Sequence, residues 1–337
     1  MRIAVDAMGG DHAPDRNVAG AVEAVAAAGG RYEVILVGDR PLIEERSSKL
    51  LKGLPIEIVH ASETVSMEET PSVALRHKRD SSIAVAMELH RSGEADAVVS
   101  AGNTGAAMAS ALNKLGRLPG VSRPAIASFF PSVRGTALLL DVGANVECRP
   151  ANLEEFATMG SIYAERVLSV EEPRIGLLSI GEERGKGTEI VIEAHQRLAA
   201  SNLNFIGNVQ GRDILTGEAD VVVCDGFTGN VILKFTEGIT SLLTASVKRG
   251  LSKSPVARVG ALLMSPVFRH LKRELNYEEY GGAPMLGIDG VLVICHGGST
   301  AVAIRNAIEV AVRIVEEGIK DHIKARLDEI HAADLQR

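Results

Sequence analysis

The chain has 337 residues, 46% of them apolar, 23% charged and only 3% aromatic, with no tryptophan and a formal net charge of -7. That length accommodates one large α/β domain or two lobes sharing a cleft, and a composition dominated by Ala, Val, Ile, Leu and Gly suits an α/β enzyme. The acidic balance argues against general nucleic-acid binding, which needs a basic surface, and no helix-turn-helix or RNP pattern occurs.

The cysteines Cys148, Cys224 and Cys295 are far apart, odd in number and without a CxxC partner. This points to a reducing compartment and away from a disulfide scaffold or zinc site. Residues 1–6 run straight into an apolar segment with no charged-then-apolar leader, so a cytoplasmic location is expected. The longest uncharged stretch, residues 97–113, is too short and polar to span a bilayer, which leaves only peripheral membrane contact.

In chain order, short runs rich in β-branched residues predict strands at 3–7, 33–37, 56–59, 97–100, 137–142, 175–180, 221–224 and 291–295. Helical periodicity predicts helices at 16–28, 104–115, 153–168, 188–200, 230–249 and 300–317. The alternation implies a mainly parallel sheet sandwiched between helices, within a single domain over 1–337. No low-complexity linker divides the chain, but there is an internal echo. Residues 92–106 (SGEADAVVSAGNTGA) and 216–230 (TGEADVVVCDGFTGN) share nine identities in fifteen positions, and both read as strand, G-x-T-G turn, helix. Gly-rich turns at the carboxyl ends of parallel strands expose N–H groups and helix N-termini to anions. Two related turns therefore suggest one cleft built from both.

Four more predicted strand ends carry loaded loops: residues 6–12 (DAMGGDH), 141–145 (DVGAN), 181–187 (GEERGKG) and 296–299 (HGGS). Capping alone needs none of their Asp, Asn and Lys residues. The loop at 181–187 has too few residues for a Walker A motif and Gly187 where Ser or Thr belongs, and no G-x-G-x-x-G fingerprint occurs. A small-anion site remains. Lys186 could reach a phosphate or oxyanion as a point charge, or simply be a surface lysine. Asp6, Asp11, Asp141 and Asp225 could orient donors, cap turns or, least favoured, hold a metal. His12 and His296 are either proton carriers or structural hydrogen-bonding residues. No nucleophile motif is present.

One further segment stands out. From Gly238 to Arg273 no Asp or Glu occurs, whereas Lys248, Arg249, Lys253, Arg258, Arg269, Lys272 and Arg273 do. Val256, Val259, Leu262, Leu263, Val267, Phe268 and Leu271 recur near helical spacing around Pro266. A basic, apolar helical arm at about 248–275 suits an anionic lipid surface or an acidic protein, and equally a dimer or core contact.

Taken together, residues 3–14 (IAVDAMGGDHAP), 100–106 (SAGNTGA), 141–145 (DVGAN), 177–187 (LLSIGEERGKG), 207–213 (GNVQGRD), 224–234 (CDGFTGNVILK) and 280–287 (YGGAPMLG) resemble the phosphate acyltransferase family PlsX, in order and almost end to end. Gln210, where an acidic residue is expected, and Gly298, where Ser is usual, depart from the pattern. The resemblance implies a Rossmann-like three-layer α/β/α fold related to phosphotransacetylases and isocitrate dehydrogenase-like proteins. It implies a homodimer, peripherally membrane-associated, that uses acyl carrier protein and inorganic phosphate without cofactor or metal.

On that resemblance and residue chemistry, Lys186, Asn230 and Asp225 are the catalytic candidates. Asp6, Gly9, Gly10, His12, Gly102, Asn103, Thr104, Gly105, Asp141, Asn145, Thr228 and Gly229 form the expected substrate and phosphate cradle. Lys248, Arg249, Arg258, Leu262, Leu263, Phe268, Arg269, Lys272 and Arg273 form the expected membrane or carrier-protein contact. The rival expectations are a phosphotransacetylase-like enzyme using acyl coenzyme A, a non-catalytic membrane scaffold for carrier protein and, distantly, a nicotinamide dehydrogenase.

Overall fold

The computed structural model describes residues 1–252, 260–267 and 281–334. Its strands are β1 (Arg2–Asp6), β2 (Glu33–Gly38), β3 (Ile56–His60), β4 (Ala97–Ser100), β5 (Ala125–Ser132), β6 (Gly135–Leu140), β7 (Ile175–Leu178), β8 (Phe205–Val209), β9 (Val221–Val223), β10 (Ala283–Leu286) and β11 (Leu292–Ile294). The helices are α1 (Asp15–Ala28), α2 (Arg40–Leu51), α3 (Pro71–His77), α4 (Ser82–Arg91), α5 (Thr104–Lys114), α6 (Pro150–Arg166), α7 (Glu189–Ala200), α8 (Gly211–Thr216), α9 (Gly226–Ser252), α10 (Ala301–Glu316) and α11 (Ile319–Asp334).

All strands join one sheet in the order β3-β2-β1-β4-β11-β10-β5-β6-β9-β7-β8. Strands β1, β2, β3, β4 and β11 form one parallel array, and β6, β7, β8 and β9 form another. Three antiparallel pairings, β11 with β10, β10 with β5 and β5 with β6, stitch them together, so the arrays run in opposite directions. Side-chain alternation feeds two cores: Val34 and Leu36 of β2 enter one, Ile35 and Val37 the other. Helices α1, α2, α6, α7, α10 and α11 cover the first face, and α3, α4, α5, α8 and α9 the second. The expected three-layer, mainly parallel architecture is present.

The register positions the site. Ser100 and Ile294, the last residues of β4 and β11, are partners, and Ile294 pairs with Ala283 of β10. On the other side Leu140 and Val223, the last residues of β6 and β9, are partners, and Leu140 pairs with Ala127 of β5. Because Met285 of β10 pairs with Ile126 of β5, these two rows lie one register step apart. Both sets of strand-end loops therefore leave from the middle of the sheet and face each other across the seam.

Every expected strand and helix forms. The periodicity missed β5, β8, β10, α2, α3, α4, α8 and α11. Strand β5 carries Pro131, β10 carries Pro284 and starts directly after Gly281 and Gly282, and β8 is interrupted by Gly207 at φ 104°. Only pairing with neighbours makes strands of such segments. No helix among the described residues is long and apolar enough to cross a membrane. Of the expected basic arm, Lys248 and Arg249 are exposed near the end of α9, and Leu262 and Leu263 are 73% and 78% exposed. Arg258, Phe268, Arg269, Lys272 and Arg273 lie outside the described residues.

Helices α1 and α10 lie against each other at Gly20, where an added Cβ would sit 2.6 Å from both the Ala301 carbonyl oxygen and Ile304 Cβ. Gly20→Ala should therefore cost about 1–3 kcal/mol through overpacking, seen as a lower urea midpoint at unchanged m-value.

Candidate active site

In the first half the loops after β1, β4 and β11 interlock. The Asp6 carboxylate accepts from the Met8 N–H (3.2 Å) and from Ser100 Oγ (2.7 Å), and Ser100 Oγ accepts from the Gly102 N–H (3.1 Å). Asn17 Nδ2 donates to the carbonyls of Asp6, Ala7 and Gly9 at 2.8–3.1 Å. Gly9 packs on Gly102, Gly10 on Ala101 and Gly297, and the Asp11 N–H reaches the Gly297 carbonyl at 2.8 Å. The crevice between Asp6, Gly9, Gly102 and Asn103 measures about 10 Å³, one water at most.

Asn103 caps α5, its Oδ1 accepting from the Ala106 N–H, while Nδ2 donates to the carbonyls of Ser66, Met67 and Glu69. Both ends of that side chain are thus engaged in holding residues 66–69 over the α5 N-terminus, where Gly105 meets Pro71. His12 is exposed, and its carbonyl accepts from the Arg16 N–H.

In the second half Asp141, completely buried, accepts five hydrogen bonds. Oδ1 takes the N–H groups of Ile126, Gly143 and Ala144, and Oδ2 takes the N–H and Nδ2 of Asn145, all within 3.2 Å. Asn145 Nδ2 also reaches the Pro124 carbonyl, and its own carbonyl accepts from Gly226 at the start of α9. Asp225 caps α9 by accepting from the Thr228 N–H and Oγ1. Gly229 is pressed on the Asp141 carbonyl oxygen, which an added Cβ would approach to 1.9 Å. Burial pushes the carboxyl groups of Asp6 and Asp141 up from the usual aspartate range, against the pull of the donors around them.

Between the halves lies a cavity of about 190 Å³. Its polar wall is Thr104, Ser128, Asn230, Lys234, Glu237, His296 and Ser299, and its apolar wall includes Ile126, Val142, Leu233, Ile294, Cys295 and Ala303. Thr104 opens α5, Ser299 and Ala303 flank the Thr300 cap of α10, and Asn230 sits in the first turns of α9. Two helix N-termini, each supplying N–H groups and partial positive charge, thus border one space. His296 Nδ1 accepts from the Gly298 N–H at 3.0 Å, which in a neutral imidazole leaves Nε2–H as donor. Lys234 pairs with Glu237 at 2.9 Å on the cavity-lining side of α9.

Of the expected residues, Thr104 and Asn230 line the cavity, one from each of the echoed turns. Asp6, Gly9, Gly10, Gly102, Asn103, Gly105, Asp141, Asn145, Asp225, Thr228 and Gly229 build its loops. Lys186 lies exposed on the adjacent β7–α7 loop, off the cavity wall, with its carbonyl bound by Ser179 Oγ. Lys234, Glu237, Ser128 and Ser299 are lining residues absent from the expected set. Lys234 and Glu237 follow Asn230 at helical spacing, which by itself puts the three on one face of a helix. Cys295 also lines the cavity, where burial pushes its thiol up to about 12, so it is not a ready nucleophile.

Asp141→Asn would set an amide N–H₂ against converging N–H donors. It should lower stability by about 2–3 kcal/mol and detach the start of α9, measured by denaturation and by faster hydrogen exchange in residues 141–145 and 226–230.

A family profile described as fatty acid synthesis protein matches residues 1–322. A phosphate acyltransferase of Moorella thermoacetica is 53% identical over 319 residues, covering 95% of this chain and 94% of its own. One of Heliobacterium modesticaldum is 51% identical over 338 residues, covering 98% of this chain and all of its own. Among solved structures, the EutD phosphotransacetylase of Staphylococcus aureus aligns at TM-score 0.62 and 18% identity, covering 94% of each chain. A phosphotransacetylase of Streptococcus pyogenes aligns at 0.61 and 17%, with the same coverage, so the fold is shared with both. The chain therefore belongs to the fatty acid synthesis protein family, beside these phosphate acyltransferases, and is an enzyme.

Proposed function

We propose that the enzyme transfers a fatty acyl group from an acyl carrier protein thioester to inorganic phosphate, forming an acyl phosphate for phospholipid synthesis. The observation that carries this reading is the cavity itself, in which two helix N-termini, Asn230 and His296 face an apolar wall. An anion fits the first set of features and an acyl carbon the second.

In the reaction a phosphate oxygen attacks the thioester carbonyl, giving a tetrahedral oxyanion. The C–S bond then breaks, the new C–O–P linkage remains, and the carrier's thiolate departs. Asn230 Nδ2 and the N–H groups opening α5 and α10 are the donors available to phosphate and oxyanion. A single oxyanion donor is typically worth about 3 kcal/mol of barrier. His296 lines the same cavity wall, with its Nδ1 held by the Gly298 N–H. A protonated, buried Cys295 favours direct attack over an acyl-enzyme. Lys186, one loop away, is assigned to charge at the entrance, where phosphate approaches.

The test incubates purified protein with long-chain acyl carrier protein and labelled phosphate, and measures hydroxylamine-sensitive acyl phosphate together with free carrier thiol. Both should appear, and Asn230→Ala should lower kcat/KM by about a hundredfold. Turnover with acyl coenzyme A alone would favour the phosphotransacetylase-like reading. Carrier binding without turnover of either donor would favour the scaffold.

We also propose that the enzyme is a homodimer that touches anionic membranes from the cytoplasmic side. Helix α9 presents Phe227, Val231, Phe235, Ile239, Leu242, Leu243 and Val247 outward, 39–68% exposed, as a continuous apolar stripe. Patches of that kind mark association surfaces. Leu262, Leu263, Met264 and Val267 are also exposed, by 51–78%, as are the basic residues Lys248 and Arg249 near the end of α9, a combination suited to anionic lipid. Phe235→Glu should shift the light-scattering mass from dimer toward monomer, and Leu262→Glu with Leu263→Glu should abolish flotation with anionic vesicles while leaving the mass unchanged.

A further inference from the structure

Resting on the acyl-transfer reading, a second cavity defines where the acyl chain goes. The reaction cavity, about 190 Å³, is small for a long chain. A neighbouring cavity of about 380 Å³ is lined by Met108, Leu112, Pro124 and Ala144 together with Arg117, Ser122, Arg123 and Asn145.

The elements that line the first cavity line the second in step. On α5, Thr104 faces the reaction cavity, and Met108 and Leu112, one and two turns further along the same face, face the second, about 12 Å of helix in all. On the β5 side, Ile126 lines the first and Pro124, two residues earlier, the second. In the loop after β6, Val142 lines the first and Ala144 the second. Three independent backbone segments thus step from one cavity to the other in the same order. Met108 is the lining residue of the second cavity nearest to Thr104 on α5, and its unbranched thioether side chain repacks readily to join the two spaces.

We propose that the acyl chain of the donor runs along α5, from the carbonyl at Thr104 and Asn230 to a tail site at Met108, Leu112, Pro124 and Ala144. Arg117 and Arg123 also line this site, and their charges limit the apolar surface open to a longer tail, so chain length is read there. Each methylene moved from water into such a groove is worth about fourfold in affinity. A tail that has passed Leu112 gains nothing more.

Leu112→Trp and Met108→Phe fill the tail site at residues that do not line the reaction cavity. With palmitoyl carrier protein each should lose about tenfold or more in kcat/KM, while hexanoyl donor is turned over as by wild type. Equal losses for both donors, or none, would overturn the proposal. A second readout is independent of turnover: a palmitoyl-pantetheine thioester bearing a terminal diazirine should photolabel residues 108–112 or 144 of the wild-type protein. Labelling elsewhere overturns the tail site even if transfer occurs. Labelling at 108–112 in a protein that makes no acyl phosphate sustains the tail site and sinks the reaction instead.

Discussion

The antiparallel pairing of β10 with β5 is the contact on which the rest of the molecule depends. It joins two parallel arrays of opposite sense, and through Met285 and Ile126 it holds the ends of β4 and β11 one register step from those of β6 and β9. A β-register is discrete. Slipping this pair by one residue would exchange Ile126 and Ala127 between the two faces, moving Ile126 out of the cavity wall and one core into the other. The facing of the two loop sets is therefore fixed by backbone hydrogen bonds at the centre of the sheet.

Two buried carboxylates convert that frame into a shaped site. Asp141 collects N–H groups from β5 and from its own loop, and Asn145 passes the constraint to Gly226 of α9. Asp6 does the corresponding work for the loops after β1 and β4 through Met8 and Ser100. Neither carboxylate lines the reaction cavity. In the proposed reaction their value is indirect: they hold N–H donors and helix starts already oriented for an incoming anion, so little reorganisation is left for the reaction step.

Helix α9 presents two different faces. Asn230, Leu233, Lys234 and Glu237 turn toward the cavity, whereas Phe227, Val231, Phe235, Ile239 and Leu242 turn to solvent. The proposed substrate chemistry and the proposed association thus share one helix, which begins at the Asp225 cap and carries the basic residues Lys248 and Arg249 in its last turns. In the proposed dimer, that sharing would couple the position of Asn230 to contact with the second subunit.

Much of this was legible without coordinates. Long runs with clear periodicity, such as residues 33–37 and 300–317, identified strands and helices because both period and burial are local properties of such segments. The echo of residues 92–106 in 216–230 announced a cleft made from two turns, and Thr104 and Asn230 do meet in it. By contrast β5 and β10, the central seam, read as loops because Pro131, Pro284 and the preceding glycines suppress any strand signal, and their pairing partners lie far away in sequence. Nor could composition separate Asn103, fully engaged in capping, from Asn230, which faces open space, since both follow similar strands. The sequence by itself determined the family, the parallel α/β class and which loops bear polar residues, all carried by local patterns and motif order. Only the tertiary structure decided which of those residues line the cavity and that Lys186 stands off its wall, because exposure depends on strand pairings that no local pattern encodes.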